Sequence, residues 1–321
     1  MARRFLVTGG AGFIGSNFIR HLLVADPDSE VTNLDLLTYA GVKTTVDELD
    51  VSPRHNFIQG DIRDVELVDA VVPDHDVVIN FAAETHVDRS IEGPSVFLET
   101  NVVGTGVLLE AARRNTIPTF VQVSTDEVYG SIAEGFATEE DKLDPSSPYS
   151  SSKAGADLLV QSYATTYGYQ AIITRCTNNY GPYQFPEKLI PLFVTNLLDG
   201  RNVPLYGDGG NERDWLHVED HCAAIHLIVE RGTPGETYNI GAGAQVSNLE
   251  LTRRILTIVG QDESMIEYVE DRPGHDRRYA LDSTKTKDLG WVPEHSLDER
   301  LAETVEWYRT RRDWWEPLRK W

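Results

Sequence analysis

The sequence predicts an α/β fold, a doubly wound parallel Rossmann-type sheet followed by a smaller C-terminal substrate-binding α/β domain. Three observations predict it. Short apolar runs alternate with helical apolar spacing from Arg4 to about Thr174. A glycine turn, Gly9-Gly10-Ala11-Gly12-Phe13-Ile14-Gly15, sits between the first run and the first helical pattern. After Thr177 the rhythm breaks into Pro- and Gly-bearing loops. Strands that alternate with helices favour parallel pairing, because each crossover helix carries the chain back to the same edge of the sheet.

In order, the first strand is Arg4 to Thr8, and helical spacing follows over 16–24. A second strand over 31–34 ends in Asp35, a third over 56–58 ends near Asp61, and a fourth over 76–81 ends in Ala82-Ala83-Glu84. Helical patterns cover 64–72 and 94–114. A fifth strand over 119–123 runs into Ser124-Thr125-Asp126-Glu127-Val128-Tyr129-Gly130, and a helix carrying Tyr149 and Lys153 reaches about Tyr167. The sixth strand, 171–174, ends at Arg175. Beyond it, helices are expected over 191–198, 218–230, 248–259 and 297–311, with short strands near Val203, Tyr238 and Tyr268. The division is therefore 1–177 for dinucleotide binding and 178–321 for substrate, with 217–241 a candidate for returning to the main sheet.

The chain has 321 residues, 29 Lys plus Arg against 51 Asp plus Glu, and a formal charge of -22. Such a surface repels phosphate backbones and anionic membranes, so a nucleic-acid partner is not expected. An anionic substrate would need a few local Arg and Lys aided by helix N-termini. Cys176 and Cys222 have neither CxxC nor metal spacing, and no window approaches 18 apolar residues. The apolar stretch at 5–7 is too short for a secretory signal. A cytoplasmic location, no membrane span and no metal are expected, since His86 and His217 also lack ligand spacing.

The glycines follow GxxGxxG spacing in a strand, turn, helix context. The first suits a tight turn, the second a close approach of pyrophosphate, the third helix-to-strand packing. Asp35 lies twenty residues beyond Gly15, at a strand end. Its carboxylate can accept from both ribose hydroxyls and repels a 2'-phosphate, and Leu36 and Leu37 supply no positive charge, so NAD is favoured over NADP. Asp61 and Ile62 are placed to hold the adenine edge, with a helix cap as the alternative for Asp61. Ala82 and Ala83 leave room for a nicotinamide ribose. Phe13, Ile14 and Thr100 complete the expected cofactor-binding set.

Tyr149 and Lys153 sit four apart, hence on one helix face. An ammonium and an oxidised nicotinamide both favour phenolate, which makes Tyr149 a usable base for taking a proton from an alcohol. Thr125 can orient that hydroxyl. Asp126 and Glu127 add a second acid and base, which oxidation alone does not need and elimination of water does. Asp126 must then be protonated at neutral pH, a state that desolvation and a neighbouring carboxylate promote.

The strings TGGAGFIGS (8–16), FAAETHVDRS (81–90), STDEVYG (124–130), YSSSK (149–153), NNYGPYQFPEKLIP (178–191), RDWLHVEDH (213–221) and RPGHDRRYALD (272–282) together resemble those of the dTDP-glucose 4,6-dehydratases, extended short-chain dehydrogenase/reductases. The resemblance covers almost the whole chain. It implies that Tyr149 removes the sugar 4-hydroxyl proton, Glu127 takes the C5 proton and Asp126 protonates the departing C6 hydroxyl. It also implies that Thr85, Thr125, Asn178, Glu187, Lys188, Leu189, Arg213, Asn248, Arg272 and His275 contact the nucleotide-sugar, with Asn179 facing the nicotinamide. Leu189 and the 204–206 stretch, Pro204 and Tyr206 among them, are where a nucleobase would be told apart. Thr85 stands where the family commonly has Ser, which keeps the hydroxyl, and the stretch after Gly130 is short.

The competing enzymes on this scaffold are nucleotide-sugar 4-epimerases, decarboxylases and dehydratases acting on another nucleobase. Epimerases of this kind usually lack the Asp-Glu pair. A non-catalytic NAD-binding sensor or scaffold is the alternative outside enzymes, and the intact Tyr149, Lys153, Asp126 and Glu127 oppose it. Phe81, Tyr180 and Tyr183 are expected in the core. A homodimer through a four-helix interface is expected, because the helices at 94–114 and 149–167 are apolar on more than one face, with Val96, Phe97, Val102, Val103, Val107 and Leu108 on the first.

Overall fold

The computed structural model describes residues 2–294 and 296–319. Its strands are β1 (Arg4–Thr8), β2 (Glu30–Asp35), β3 (His55–Gln59), β4 (Val77–Asn80), β5 (Thr119–Thr125), β6 (Ile172–Cys176), β7 (Asn178–Tyr180), β8 (Val203–Tyr206), β9 (Glu212–His217), β10 (Thr237–Ile240), β11 (Gln245–Ser247) and β12 (Ile266–Val269). Seven form one parallel sheet in the order β10-β6-β5-β4-β1-β2-β3, so the winding reverses between β1 and β4. Ligands bind outside the carboxyl ends of strands at such a reversal.

Side chains alternate across each strand, and the two faces are both apolar. Phe5, Val7, Ile79, Val121 and Val123 point to the side covered by Phe18, Ile19 and Leu22 of the Phe13–Ala25 helix and Ile225 and Ile228 of the Val218–Arg231 helix. Leu6, Val78 and Phe120 point to the other side, against Val68, Leu108, Leu109, Ala112 and Val160. Within 217–241, β10 pairs with β6 at the edge of this sheet, Thr237 opposite Ile173 and Ile240 opposite Cys176.

A second core lies under the remaining elements. Phe193, Val194, Leu197, Leu251, Ile255, Leu301, Val305, Tyr308, Trp314 and Trp315 pack there around Tyr180 and Trp215. Two small sheets edge it, β11-β9-β7 and β12-β8. Tyr180 is fully buried, Tyr183 packs edge-on to Trp314, and Phe81 meets Phe18, in keeping with their expected packing roles.

Three differences from the sequence expectation have local causes. Short helices at Lys43–Leu49 and Val87–Glu92 fall where two turns or fewer give too little periodicity to recognise. The helical run over 94–114 is interrupted by a π-helical turn, Glu99–Gly104, between Pro94–Leu98 and Thr105–Arg114. On that run Phe97 and Leu108 are buried inside the protomer, while Val96 and Val103 are exposed, so only part of the second apolar face is free. Cys176 and Cys222 are free and buried, and among the described residues no helix is long and apolar enough to cross a membrane.

The helix that bears Tyr149 and Lys153 has firm ends. Ser147 and Ser150 form a reciprocal capping box, Pro148 opens the first turn, and Gly168 closes the last with φ 69°. Such caps satisfy backbone groups that the helix leaves open.

Candidate active site

One cleft runs along the carboxyl edge of the sheet. It is lined by Gly9, Gly12, Phe13, Ile14, Gly15, Asp35, Leu36, Asp61, Ile62, Ala82, Ala83, Thr100 and Asn179 at one end and by Thr85, Thr125, Asp126, Glu127, Tyr149, Lys153, Asn178, Glu187 and Lys188 at the other. The residues expected at a cofactor and at the chemistry are thus brought to a single space.

The glycine turn is built for a chain that must pass close. Gly9 has φ +70°, and a Cβ there would lie 2.6 Å from the Ala82 nitrogen; a Cβ on Gly15 would lie 2.4 Å from the Gly9 carbonyl oxygen. A Cβ on Gly12 would meet only the Gly9 oxygen, at 3.3 Å, and otherwise open space toward the cleft. Gly12 also caps the Phe13–Ala25 helix without any side-chain acceptor for its first N–H groups. Open N–H donors at a helix N-terminus beside a side-chain-free wall fit a dinucleotide pyrophosphate. Asp35 is fixed by Ala11 N (3.0 Å) and Leu37 N (2.7 Å), and burial raises its pKa against those two bonds. Asp61 is gripped by Arg63 through both carboxylate oxygens, while Asp64 caps the next helix, so the cap role considered for Asp61 belongs to Asp64.

At the exit of β5 the chain tightens into a 3₁₀ turn, Asp126–Tyr129, with Thr125 as its cap. Thr125 Oγ1 donates to Asp126 Oδ1 (3.2 Å) and accepts from Glu127 N (3.3 Å). Asp126 is 3% exposed, and its Oδ2 has no hydrogen-bond partner among the described residues. Burial first, and then the Glu127 charge, hold the Asp126 pKa well above the carboxylate range. Burial also raises Glu127, but Arg272, Lys188 and Arg213 oppose it. The two neighbours thus differ in surroundings: one is buried beside a like charge with Arg213 opposing, the other has Arg272, Lys188 and Arg213 favouring its charge. That division suits an acid and a base.

Tyr149 departs from expectation. Burial and the Glu127 charge raise its phenol well above the usual value, and Lys153 does not counter them: its Nζ donates 2.7 Å to the Val123 carbonyl. Burial lowers the Lys153 pKa, opposed by Asp157. A short distance along the helix does not by itself point the ammonium at the phenol, so the phenol requires a further positive charge before it can act as a base.

The other residues expected at substrate do not line this cleft. Leu189 starts a helix and packs on the second core, and Pro204 and Tyr206 lie on β8. Tyr206 meets His275 edge-on, 6.1 Å between centroids, and both Tyr206 and Arg272 reach Asp88, at 3.3 and 3.4 Å. Arg213 donates to the Asp276 carbonyl (2.8 Å) and lies over the Tyr279 ring, while Asn248 is buried with an unpaired Oδ1. The charges of Arg213 and Arg272 nevertheless favour the Glu127 carboxylate. Asn179 keeps its amide on the Thr177 carbonyl and His221 Nδ1, both at 2.9 Å.

Two residues went unrecognised in the sequence. Cys176, at the end of β6, lines the cleft, and burial pushes its thiol up to about 12. The strand-end position that singled out Asp35 would have found it. Asn101, inside the π-helical turn, clamps the backbone of Glu84 on both sides: its Oδ1 accepts from Glu84 N at 2.9 Å and its Nδ2 donates to Glu84 O at 3.0 Å. The same amide reaches Ser152 Oγ, 2.8 Å away, which donates to the Tyr149 carbonyl. No local pattern announces a π turn, so this link was not legible. Among the described residues no group of three or more His, Cys, Asp or Glu side chains is placed to hold a metal ion.

Comparison with known proteins places this geometry. A family model described as GDP-mannose 4,6 dehydratase matches residues 6–304. A dTDP-glucose 4,6-dehydratase of Streptomyces antibioticus is 54% identical over 98% of this chain and 95% of its own length. The low-salt glycan biosynthesis protein Agl12 of Haloferax volcanii is 56% identical over 94% of this chain and 97% of its own. Among solved structures, the dTDP-glucose 4,6-dehydratase DesIV from Streptomyces venezuelae, crystallised with NAD bound, superposes with a TM-score of 0.96 at 55% identity, covering 98% of this chain and 100% of that one.

The burial of Asp126 has a measurable consequence for stability. Its folded pKa lies above the unfolded value near 4, so the folded protein holds a proton that the unfolded chain releases, and stability falls as pH rises from about 4 to the folded-state pKa. Asp126→Asn abolishes that titration. The variant should melt a few degrees above the parent at pH 8, with the difference shrinking toward pH 4. A variant that melts lower than the parent at pH 8 would show that the carboxyl is not held at a cost.

Proposed function

The chain belongs to the GDP-mannose 4,6 dehydratase family, and from that premise we propose that it is an NAD-dependent dTDP-glucose 4,6-dehydratase, a hydro-lyase. The observation that carries the assignment is the pair at the exit of β5: a deeply buried Asp126 with an unpaired Oδ2 beside a Glu127 whose charge Arg272, Lys188 and Arg213 favour. An epimerase has no use for it.

Residues 1–177 and the 217–241 return would hold NAD, with Gly9, Gly12 and Gly15 at the pyrophosphate and Asp35 at the adenine ribose. Bound NAD supplies the acceptor for the C4 hydride and the donor that returns it at C6. Tyr149 takes the 4-hydroxyl proton, with Thr125 orienting that hydroxyl. The resulting ketone acidifies C5, whose proton passes to Glu127. Asp126 gives its proton to the departing C6 hydroxyl, which leaves as water. The proton held by Glu127 goes back to C5, completing dTDP-4-keto-6-deoxyglucose. Arg213 and Arg272 are suited to grip the diphosphate, since a guanidinium can take phosphate oxygens in pairs, and Lys188, whose Nζ donates to the Thr85 carbonyl at 2.9 Å, closes the sugar end. The working place is the cytoplasm, where buried free thiols such as Cys176 and Cys222 persist.

Two copies would associate through the helical run over 94–114 and the helix Pro148–Tyr167, two from each copy and four in all. Val96, Leu98, Val103 and Leu158 are 41, 52, 55 and 55% exposed on these elements, an apolar surface with no cover inside one protomer. Sedimentation at micromolar concentration should give a dimer, and a monomer would refute the interface.

Each half of the chemistry can be removed separately. With dTDP-glucose, Asp126→Asn and Glu127→Gln should still oxidise C4 but lose water about 10²- to 10⁴-fold more slowly, accumulating reduced nicotinamide with little keto-deoxy product. Tyr149→Phe should show neither. Product formation at the parent rate by both carboxamide variants would make the pair bystanders and favour a 4-epimerase.

A further inference from the structure

A buried ion pair lies directly behind the cleft. Arg175 on β6 and Asp157 on the Pro148–Tyr167 helix are 1% and 0% exposed, and Arg175 Nε donates to Asp157 Oδ2 at 2.9 Å. The same guanidinium donates through Nη1 to the Tyr129 hydroxyl oxygen at 2.7 Å, and that hydroxyl donates to Asn239 Oδ1 at 2.9 Å. Tyr129 is the last residue of the turn that carries Asp126 and Glu127. Asp157 lies one helical turn after Lys153 and is the main charge that favours its ammonium. In the sheet Arg175 sits opposite Ser124, just before the turn begins.

Buried ion pairs contribute little net stability compared with apolar packing, because desolvation offsets the attraction. What they can impose is geometry, when the fork of the guanidinium is shared between two elements. Here one arm holds the helix of the oxidation, and the other holds the turn of the elimination. Behind the acid pair, Tyr129 has a ring packed with Val128 and Ala154 and a single polar handle, the hydroxyl. Without that handle the turn keeps its backbone bonds, Gly130 N to Glu127 O and Asp144 N to Val128 O, and the Arg175 guanidinium over the ring, but loses its hydrogen bonds to β6 and β10.

We propose that Arg175 is a positioning residue: through Asp157 and Tyr129 it locks the Lys153 helix and the Asp126–Glu127 turn in one register, so that a sugar oxidised at C4 already lies in reach of the acid and base at C5 and C6. The role rests on the dehydratase function proposed above. It acts at a distance from the substrate, and small displacements of catalytic groups cost large factors in rate.

The test uses the full-length protein loaded with NAD and mixed with dTDP-glucose. Tyr129→Phe keeps the ring and removes only the handle. It should oxidise C4 within about twofold of the parent rate, slow water loss roughly 10- to 100-fold, and leave dTDP affinity unchanged, so that kcat falls without KM. A scaffold role alone would lower the melting temperature and leave the partition between oxidised intermediate and product as in the parent. Asp157→Asn should in addition move the alkaline limb of the oxidation to lower pH, because Lys153 loses the carboxylate that favours its proton. If Asp157→Asn does not fold, Tyr129→Phe decides alone. A parent that fails to oxidise dTDP-glucose overturns the proposed function. A working parent with an unaltered partition in Tyr129→Phe overturns the positioning role.

Discussion

Asp126 sits in the interior at the end of a central strand, with another carboxyl as its next residue and one oxygen left unpaired. A group in that position is favoured only with its proton on, since ionising it would place a second negative charge in a poorly solvated space. The rest of the site is arranged around this constraint. Arg272, Lys188 and Arg213, from three separate segments of the second half of the chain, all favour the Glu127 carboxylate, whereas the main cation favouring an ionised Asp126 is Arg213. A proton donor and a proton acceptor are therefore obtained from two adjacent carboxyls by distributing burial and charge unequally between them. The same low solvation raises the Tyr149 phenol, which ties the activation of the first base to the arrival of positive charge in the cleft.

The sheet topology explains why these parts meet. Parallel strands release their side chains at one edge, and the reversal between β1 and β4 opens a crevice there. The glycine turn follows β1, Asp35 ends β2, Ala82 and Ala83 follow β4, Thr125 ends β5 and Cys176 ends β6. Each is thus delivered by the same rule. The second core contributes a wall rather than a strand end, and it is bolted to the first through Trp314 Nε1 on Thr45 Oγ1 (2.9 Å) and Tyr183 on Glu48 (2.6 Å). The Lys43–Leu49 helix that receives both contacts comes directly after the Asp35 loop. The second core and the segment after Asp35 thus share one interface.

Much of this was legible in the sequence, for physical reasons. The apolar alternation of β1 to β6 and the glycine spacing specify the sheet and its first turn, because both faces of a parallel strand are buried and only glycine survives a Cβ clash of 2.4–2.6 Å with backbone. The Asp126-Glu127 pair was legible because its position after a strand is a matter of counting. The aim of the Lys153 ammonium was not, since helical spacing fixes a shared face and leaves the rotamer open, and here the Val123 carbonyl takes it. Nor was the setting of Leu189, which opens a helix, or of Pro204 on β8, because the path of long loops depends on tertiary packing that no local pattern encodes. The π turn at Glu99–Gly104 and the Asn101 clamp were invisible for the same reason.

The most direct measurement of the central claim, that one cleft both oxidises the sugar and expels water from it, is the fate of an isotope. dTDP-glucose carrying deuterium at C4, converted in ordinary water, should give a 4-keto-6-deoxy sugar with the deuterium at C6, as read by NMR. Recovery of a nucleotide-sugar with deuterium still at C4 and oxygen still at C6 would contradict the claim and leave the buried carboxyl of Asp126 without the task assigned to it.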